Sequence, residues 1–204
     1  MSIERGRSWG TNTALAEGSP MVHSDADLRA LVETAQRLGR PAGTVGLLGG
    51  DLCATLGGPG DPQRLRGPDA VQVPIDVVRV VLDGAVEHWF VAHLVAHRRA
   101  WAGQAAVAMN ADSLGPLRLG PRAHPNDGLV DVTSGSLPWR ERREARRRAR
   151  TGAHLPHPAL RVRRAGHVVI EFHRPTPVWL DLVPVGRARH LELTVQPDAL
   201  QVVV

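Results

Sequence analysis

The sequence predicts an α/β segment followed by an all-β segment. Two observations carry this. The first seventy or so residues place one capped amphipathic helix between short apolar runs that end in glycine. From Val71 onward, apolar runs of strand length alternate with turns rich in Pro, Gly, Asn and Asp, and one arginine-rich helical stretch interrupts them. A chain of 204 residues suffices for one ordinary domain or two small ones with a real core.

Met1–Met21 has no periodicity and reads as an irregular lead-in, with Met21-Val22-His23 ending a short strand. Ser24 then caps a helix. Acids fill its first turn, and Leu28, Leu31, Val32, Ala35 and Leu38 form its apolar stripe. Gly39 and Pro41 stop it. Thr44–Leu48 is a short buried strand running into Gly49-Gly50-Asp51-Leu52-Cys53-Ala54-Thr55-Leu56. Strand, glycine turn and short helix can present backbone N–H groups to an anion, although a plain αβ turn has the same pattern.

Val71–Val81 alternates loosely around Pro74, and Leu82-Asp83-Gly84-Ala85 turns it into Val86–Ala96. Gln104–Met109 is another strand. In Leu114–Val132, two apolar edges flank the turn Pro125-Asn126-Asp127-Gly128, as in a β-hairpin, and Leu129–Val132 is the strand leaving it. Leu137–Arg150 is a helix by propensity, closed by Gly152. Further strands follow at Val162–Arg164, Val168–His173, Val178–Asp181 and His190–Val195 into Leu200–Val204, punctuated as in a β-sandwich or barrel.

Composition narrows the function classes. Hydrophobic residues make up 43% and charged residues 22%, as in a soluble globular protein. There is neither a membrane-length apolar run nor an export signal, and the lone Cys53 forms no internal disulfide, so the expected location is cytoplasmic. All 25 basic residues are arginine, which removes Schiff-base lysine chemistry and any P-loop lysine. With the abundant Ala, Gly, Pro and Val, this is the composition of a GC-rich bacterial genome of actinobacterial type. A net charge of +5 favours phosphate-bearing partners.

The arginine helix is either a solvated face or a surface for anionic lipid headgroups. RNA is the weakest candidate partner, because aromatics are only 3% of the chain and provide no evident stacking platform. His93 and His97, like His154 and His157, lack the companion ligands of a zinc motif. Cys53 reads as a small core residue.

Several stretches resemble the diacylglycerol kinase / lipid kinase family. Pro121, Ala123, Asp127, Gly128, Asp131 and Val132 match its Pro-x-Ala-x-x-x-Asp-Gly-x-Leu-Asp-Val signature. Gly49, Asp51, Leu56 and Gly57 match its Gly-Thr-Gly-Asn-Asp-Phe-Ala-x-x-Leu-Gly segment, with Gly50 in place of Asn and Leu52 in place of Phe. Val178-Trp179-Leu180-Asp181 resembles its Val-x-Leu-Asp-Gly-Glu, with Leu182 and Val183 replacing the last two, and Pro197, Ala199, Leu200 and Val202 match its ending. In the family's nucleotide loop, Gly-Gly-Asp-Gly-Thr, only Asp25 of His23–Asp27 is kept. The lost glycines bar close approach to phosphate, and Asp27 adds negative charge there.

The resemblance implies a reduced nucleotide-binding-type α/β domain over residues 1–70. It implies a β-sandwich domain over 71–204, with the basic helix near 139–150. It implies phosphorylation of a lipid hydroxyl by ATP with Mg²⁺ if the protein is active. Asp181 would then be the catalytic acid-base group, with Asp51 ordering metal and substrate. Asp25, Gly49 and Gly50 would face the nucleotide. Asp127 and Asp131 would bind metal, unless they are a turn-former and an exposed strand acid. The rival is a non-catalytic member that has lost ATP binding and binds lipid or a partner. The expected partner is a lipid substrate or anionic membrane surface at the inner face; no nucleic acid is expected, and a homodimer is allowed.

Overall fold

A computed structural model describes residues 9–204, so the first eight residues of the expected lead-in lie outside the described residues. Strands β1 (Thr11–Asn12) and β2 (Met21–Val22) precede helix α1 (Asp25–Arg37), strand β3 (Thr44–Leu47) and the short helices α2 (Asp51–Thr55) and α3 (Pro62–Leu65). Strands β4 (Val71–Leu82), β5 (Val86–Phe90), β6 (His93–Ala96), β7 (Ala105–Met109) and β8 (Val130–Gly135) follow. Helix α4 (Trp139–Ala149) leads to β9 (Leu160–Ala165), β10 (His167–Leu180) and β11 (Val183–Val203).

The α/β part is one parallel unit. β2 and β3 pair in parallel with α1 as their crossover, and β3 continues the sheet by pairing in parallel with the end of β11. Ser24 caps α1: its Oγ accepts from the Asp27 N–H at 3.1 Å and donates to the Asp27 carboxylate at 2.7 Å. This N-cap makes Asp27, in the first turn, a helix-start residue. Leu28, Val32 and Ala35 are buried beneath the helix, whereas Leu38, expected on the same stripe, is the helix C-cap and is exposed.

The main sheet runs β1-β4-β11-β10-β6-β7-β8-β9, with β5 paired to β4. Two apolar cores share its longest strands. Val73, Ile75, Val77, Leu200, Val202 and Val204 pack with Leu28, Val32, Leu47 and Leu52. Val78, Val80, Leu191 and Leu193 pack instead with Phe90, Leu94, Val132, Ile170 and Leu180. The β4–β11 register shifts between Gln196 and Leu200, where Asp198 has φ 53. Such a bulge bends the strand pair from one core to the other. The units expected as residues 1–70 and 71–204 are therefore joined edge to edge in one sheet, through β3 and β11.

Two local expectations change. Val86–Ala96 is interrupted at Val91 and Ala92, whose N–H groups turn to the Asp181 carboxylate instead of a neighbouring strand. The apolar edge upstream of Pro125 is a loop with one bridge, Leu114 to Leu117; β8 pairs with β7 across that long connection. The turn itself is fastened from afar: the Asp76 carboxylate accepts from the N–H of Gly128 at 2.7 Å and of Asp198 at 3.0 Å.

Candidate functional site

The C-terminal ends of adjacent parallel strands are where α/β sheets gather ligands. Here β2 leads through Ser24 to Asp25, and β3 leads through Gly49 and Gly50 to Asp51. The two turns are in close contact. A side chain on Gly49 would strike the His23 carbonyl, and one on Gly50, held at φ +94, would strike the Asp25 carboxylate. That intimacy lets Asp25 reach the neighbouring turn: its carboxylate accepts from the Asp51 N–H at 2.7 Å and the Leu52 N–H at 3.2 Å. The backbone groups that could have held an anion thus hold an internal one.

His93, at the start of β6, completes the group. Its Nε2 lies 3.1 Å from Asp51 Oδ2, and its Nδ1 lies 4.0 Å from Asp181 Oδ1. Asp51 Oδ1 accepts from the Gly115 N–H at 2.9 Å, so the loop after β7 closes over the same side. Asp181 sits at φ 47 in the β10–β11 turn, 1% exposed. Its carboxylate accepts the N–H groups of Val91, Ala92 and His93 at 2.9–3.0 Å, and its own N–H donates to the His93 carbonyl.

Burial dominates the electrostatics of the acids. It pushes Asp181 up to about 6, against the opposing pull of His93 and the three N–H groups. Burial also raises Asp25, though its two backbone hydrogen bonds oppose it. For His93, burial disfavours the charged ring, but the Asp51 hydrogen bond and the charges of Asp181, Asp25 and Asp51 outweigh it, so the pKa is raised.

Of the sequence-derived site residues, Asp25, Gly49, Gly50, Asp51 and Asp181 therefore gather in one region. Asp127 and Asp131 form a second group, around Arg164. That guanidinium contacts Asp127 and approaches Asp131 at 3.6 Å, supplying the positive charge expected of a metal. Asp127 also accepts the Leu129 N–H at 3.0 Å, as a turn-forming residue does. The sequence offers His93 only beside His97, without companion ligands; its partners are 42 and 88 positions away, and the β10–β6 pairing brings Asp181 to it.

A basic, aromatic face lies elsewhere. Arg140, Arg143, Arg146, Arg147, Arg148 and Arg150 are exposed along α4 and its end, with Arg161 and Arg163 exposed on edge strand β9. Glu144 accepts from Arg147 and Arg148 and is held at about 2 by those hydrogen bonds. Arg142 joins the helix to the loop after β6, donating to the Leu137 carbonyl at 2.8 Å and the Ala100 carbonyl at 2.9 Å. In that loop His97 is stacked between Trp101 and Trp179, with ring centroids 4.3 and 4.7 Å away. Trp101 is 39% exposed and Trp139, under Arg140, 63%. Low aromatic content concealed this group, because three of the five tryptophans, far apart in sequence, meet only in the fold.

Residues 73–204 match the YegS C-terminal NAD kinase beta sandwich-like domain, well over half of the chain. The chain belongs to the lipid kinase family. Solved structures agree on the fold. The chain is similar to a putative diacylglycerol kinase from Bacillus anthracis str. Sterne at 12% identity and TM-score 0.64, over 89% of this chain and 76% of that one. A second structure of a putative diacylglycerol kinase from the same organism gives 14% identity and TM-score 0.58 over the same shares. A search of curated proteins finds no match. Within this lipid kinase family member, the β-sandwich is retained, and the α/β part is the single β2–α1–β3 unit and its short helices among the described residues.

Proposed function

We propose that this lipid-kinase-like protein binds an anionic membrane surface and does not transfer phosphate from ATP. The observation that carries the reading is the Asp25 carboxylate, which occupies the Asp51 and Leu52 amides at the ends of the parallel strands. ATP does not fit these residues. A triphosphate brought there would meet Asp25, Asp51 and Asp181 with no lysine to offset them. Asp181, buried and engaged by three backbone N–H groups, is poorly placed to take a proton from a lipid hydroxyl. Mg²⁺ at Asp127 and Asp131 would have to displace the Arg164 guanidinium.

The membrane-facing part rests on the arginine helix and its tryptophans. Each exposed basic group near an anionic leaflet adds about 1 kcal/mol of attraction. Trp101 and Trp139 offer amphipathic rings of the kind that settle at headgroup level. No helix among the described residues is long and apolar enough to cross a membrane.

Co-sedimentation with phosphatidylglycerol vesicles tests the reading, alongside phosphate transfer from Mg-ATP to a lipid panel. The expected result is vesicle binding that weakens steeply with salt and no transfer. The triple variant Arg143→Ser/Arg146→Ser/Arg150→Ser should lose about 3 kcal/mol, roughly a hundredfold in partitioning. Transfer abolished by Asp181→Asn would establish the kinase reading instead. Equal binding to neutral vesicles would sink the electrostatic one.

A further inference from the structure

Among the described residues, Asp25, Asp51 and His93 bring three donor atoms within 4.8 Å of one another. We propose that they bind one divalent transition-metal ion of the Mn²⁺ to Zn²⁺ class, with Asp181 as the outer carboxylate behind His93. The inference is independent of membrane binding.

One pair already has the spacing of ligands on a shared ion, and the third lies close by. Two ligands side by side on a cation with bonds of about 2.1 Å lie roughly 3.0–3.4 Å apart. Asp51 Oδ2 and His93 Nε2 are already 3.1 Å apart. Asp25 can join without losing its backbone bonds. Each of its oxygens accepts one N–H, and a carboxylate offers about four lone-pair sites. Asp25 and His93 are buried, whereas the Asp51 side chain is 18% exposed, so the open coordination positions face the solvent side, where water can complete the shell.

A second observation points to the ion. His93 Nδ1 is buried without a hydrogen-bond partner, 4.0 Å from Asp181. A neutral imidazole has one N–H and one lone pair. If Nε2–H faces Asp51, the Nδ1 lone pair is directed at the Asp181 carboxylate. If Nδ1–H faces Asp181, the Nε2 lone pair is directed at Asp51. Either a second ring proton or a cation on Nε2 removes the conflict; with the cation, Nε2 gives its lone pair to the metal and Nδ1–H turns to Asp181. This carboxylate–histidine–metal order is how protein sites fix the ring and raise its basicity. A dication also balances the two ligating carboxylates.

The donor set chooses the metal class. Two carboxylates alone suit Mg²⁺ or Ca²⁺, but an imidazole favours Mn²⁺, Fe²⁺ or Zn²⁺ over Mg²⁺, which keeps to oxygen. His93 therefore makes this a different site from a carboxylate-only magnesium site. Nothing in the arrangement needs ATP.

Equilibrium dialysis of chelator-treated protein against Mn²⁺ or Zn²⁺ at pH 7.5, with bound metal read by atomic emission, tests the site. The full chain, Asp51→Asn and His93→Gln are compared. We expect about one tight equivalent, a loss of affinity of at least ~10-fold in each variant, and no displacement by about a hundredfold excess of Mg²⁺. Thermal unfolding of each variant without metal identifies one that fails to fold. Asp51 is partly exposed, so Asp51→Asn decides the matter if His93→Gln unfolds. The proposal is overturned if the full chain holds no tight equivalent. It is also overturned if every folded variant keeps that equivalent, which would place it on other histidines, or if Mg²⁺ displaces the metal.

Discussion

Replacing Asp25 with alanine removes the internal anion and tests whether it holds the two strand-end turns together. The wild-type carboxylate accepts two backbone hydrogen bonds, at 2.7 and 3.2 Å. Hydrogen bonds to a charged acceptor contribute about 1.5–3 kcal/mol each, or roughly 3–6 kcal/mol for the pair. Burial of that carboxylate, which raises its pKa, offsets part of the gain. Leu52 is fully buried, so its amide cannot turn to bulk water in the variant. The net expected loss is about 2–4 kcal/mol. For a chain of this size each kcal/mol moves Tm by about 2–4 °C, so calorimetry should read a drop of roughly 4–16 °C. Urea unfolding should show a lower midpoint with an unchanged slope. Formate, small enough to enter the space left by the side chain, should restore part of the difference in Asp25→Ala and leave the wild type unmoved. A variant as stable as wild type, or one unfolding with a different slope, would refute the reasoning that Asp25 acts through these two amides.

Three further outcomes follow from the same geometry. Asp181 is held at about 6 in the folded protein, above an unfolded value near 3.9, so the native state binds more protons and stability falls as pH rises through that window. Its contribution between pH 5 and pH 7 is about 1 kcal/mol; Asp181→Asn should be less stable at both values, and the wild-type gain on going to pH 5 in chelator should shrink in urea titrations. Leu182 is 66% exposed at φ 67, a conformation costing a side chain about 1–2 kcal/mol, so Leu182→Gly should leave stability unchanged or raise it by up to ~1 kcal/mol, read as the urea midpoint. Gly50→Ala should cost more than 2 kcal/mol in the same titration, because its methyl would lie 2.4 Å from Asp25 Oδ1 at a positive φ.

Local chemistry was readable where it acts over a few residues. Ser24 and Gly39 bracket α1, and Asp83-Gly84 turns β4 into β5 with both residues at positive φ. The arginine run forms α4 over Trp139–Ala149. The shared signature at Asp127, Gly128 and Asp131 pointed to the right fold family, yet the structure surrounds two of these acids with Arg164. Long-range pairing was hidden. Asp181 reaches His93 only because β10 lies beside β6, and that contact also breaks the strand expected through Val91 and Ala92. Likewise Arg142 brings the Trp101 loop to α4 through carbonyl contacts that no side-chain pattern encodes.

The shared strands make the matched domain hard to sever. A cut near residue 70 would remove β3 from the end of β11, baring Gln201, Val202 and Val203 as an unpaired apolar edge, and would strip Val73, Ile75 and Leu200 of their helical cover. Such an edge is a template for intermolecular strand addition. A fragment keeping only the β-sandwich should therefore associate with itself, because the small β2–α1–β3 unit is what covers that edge of the larger sheet.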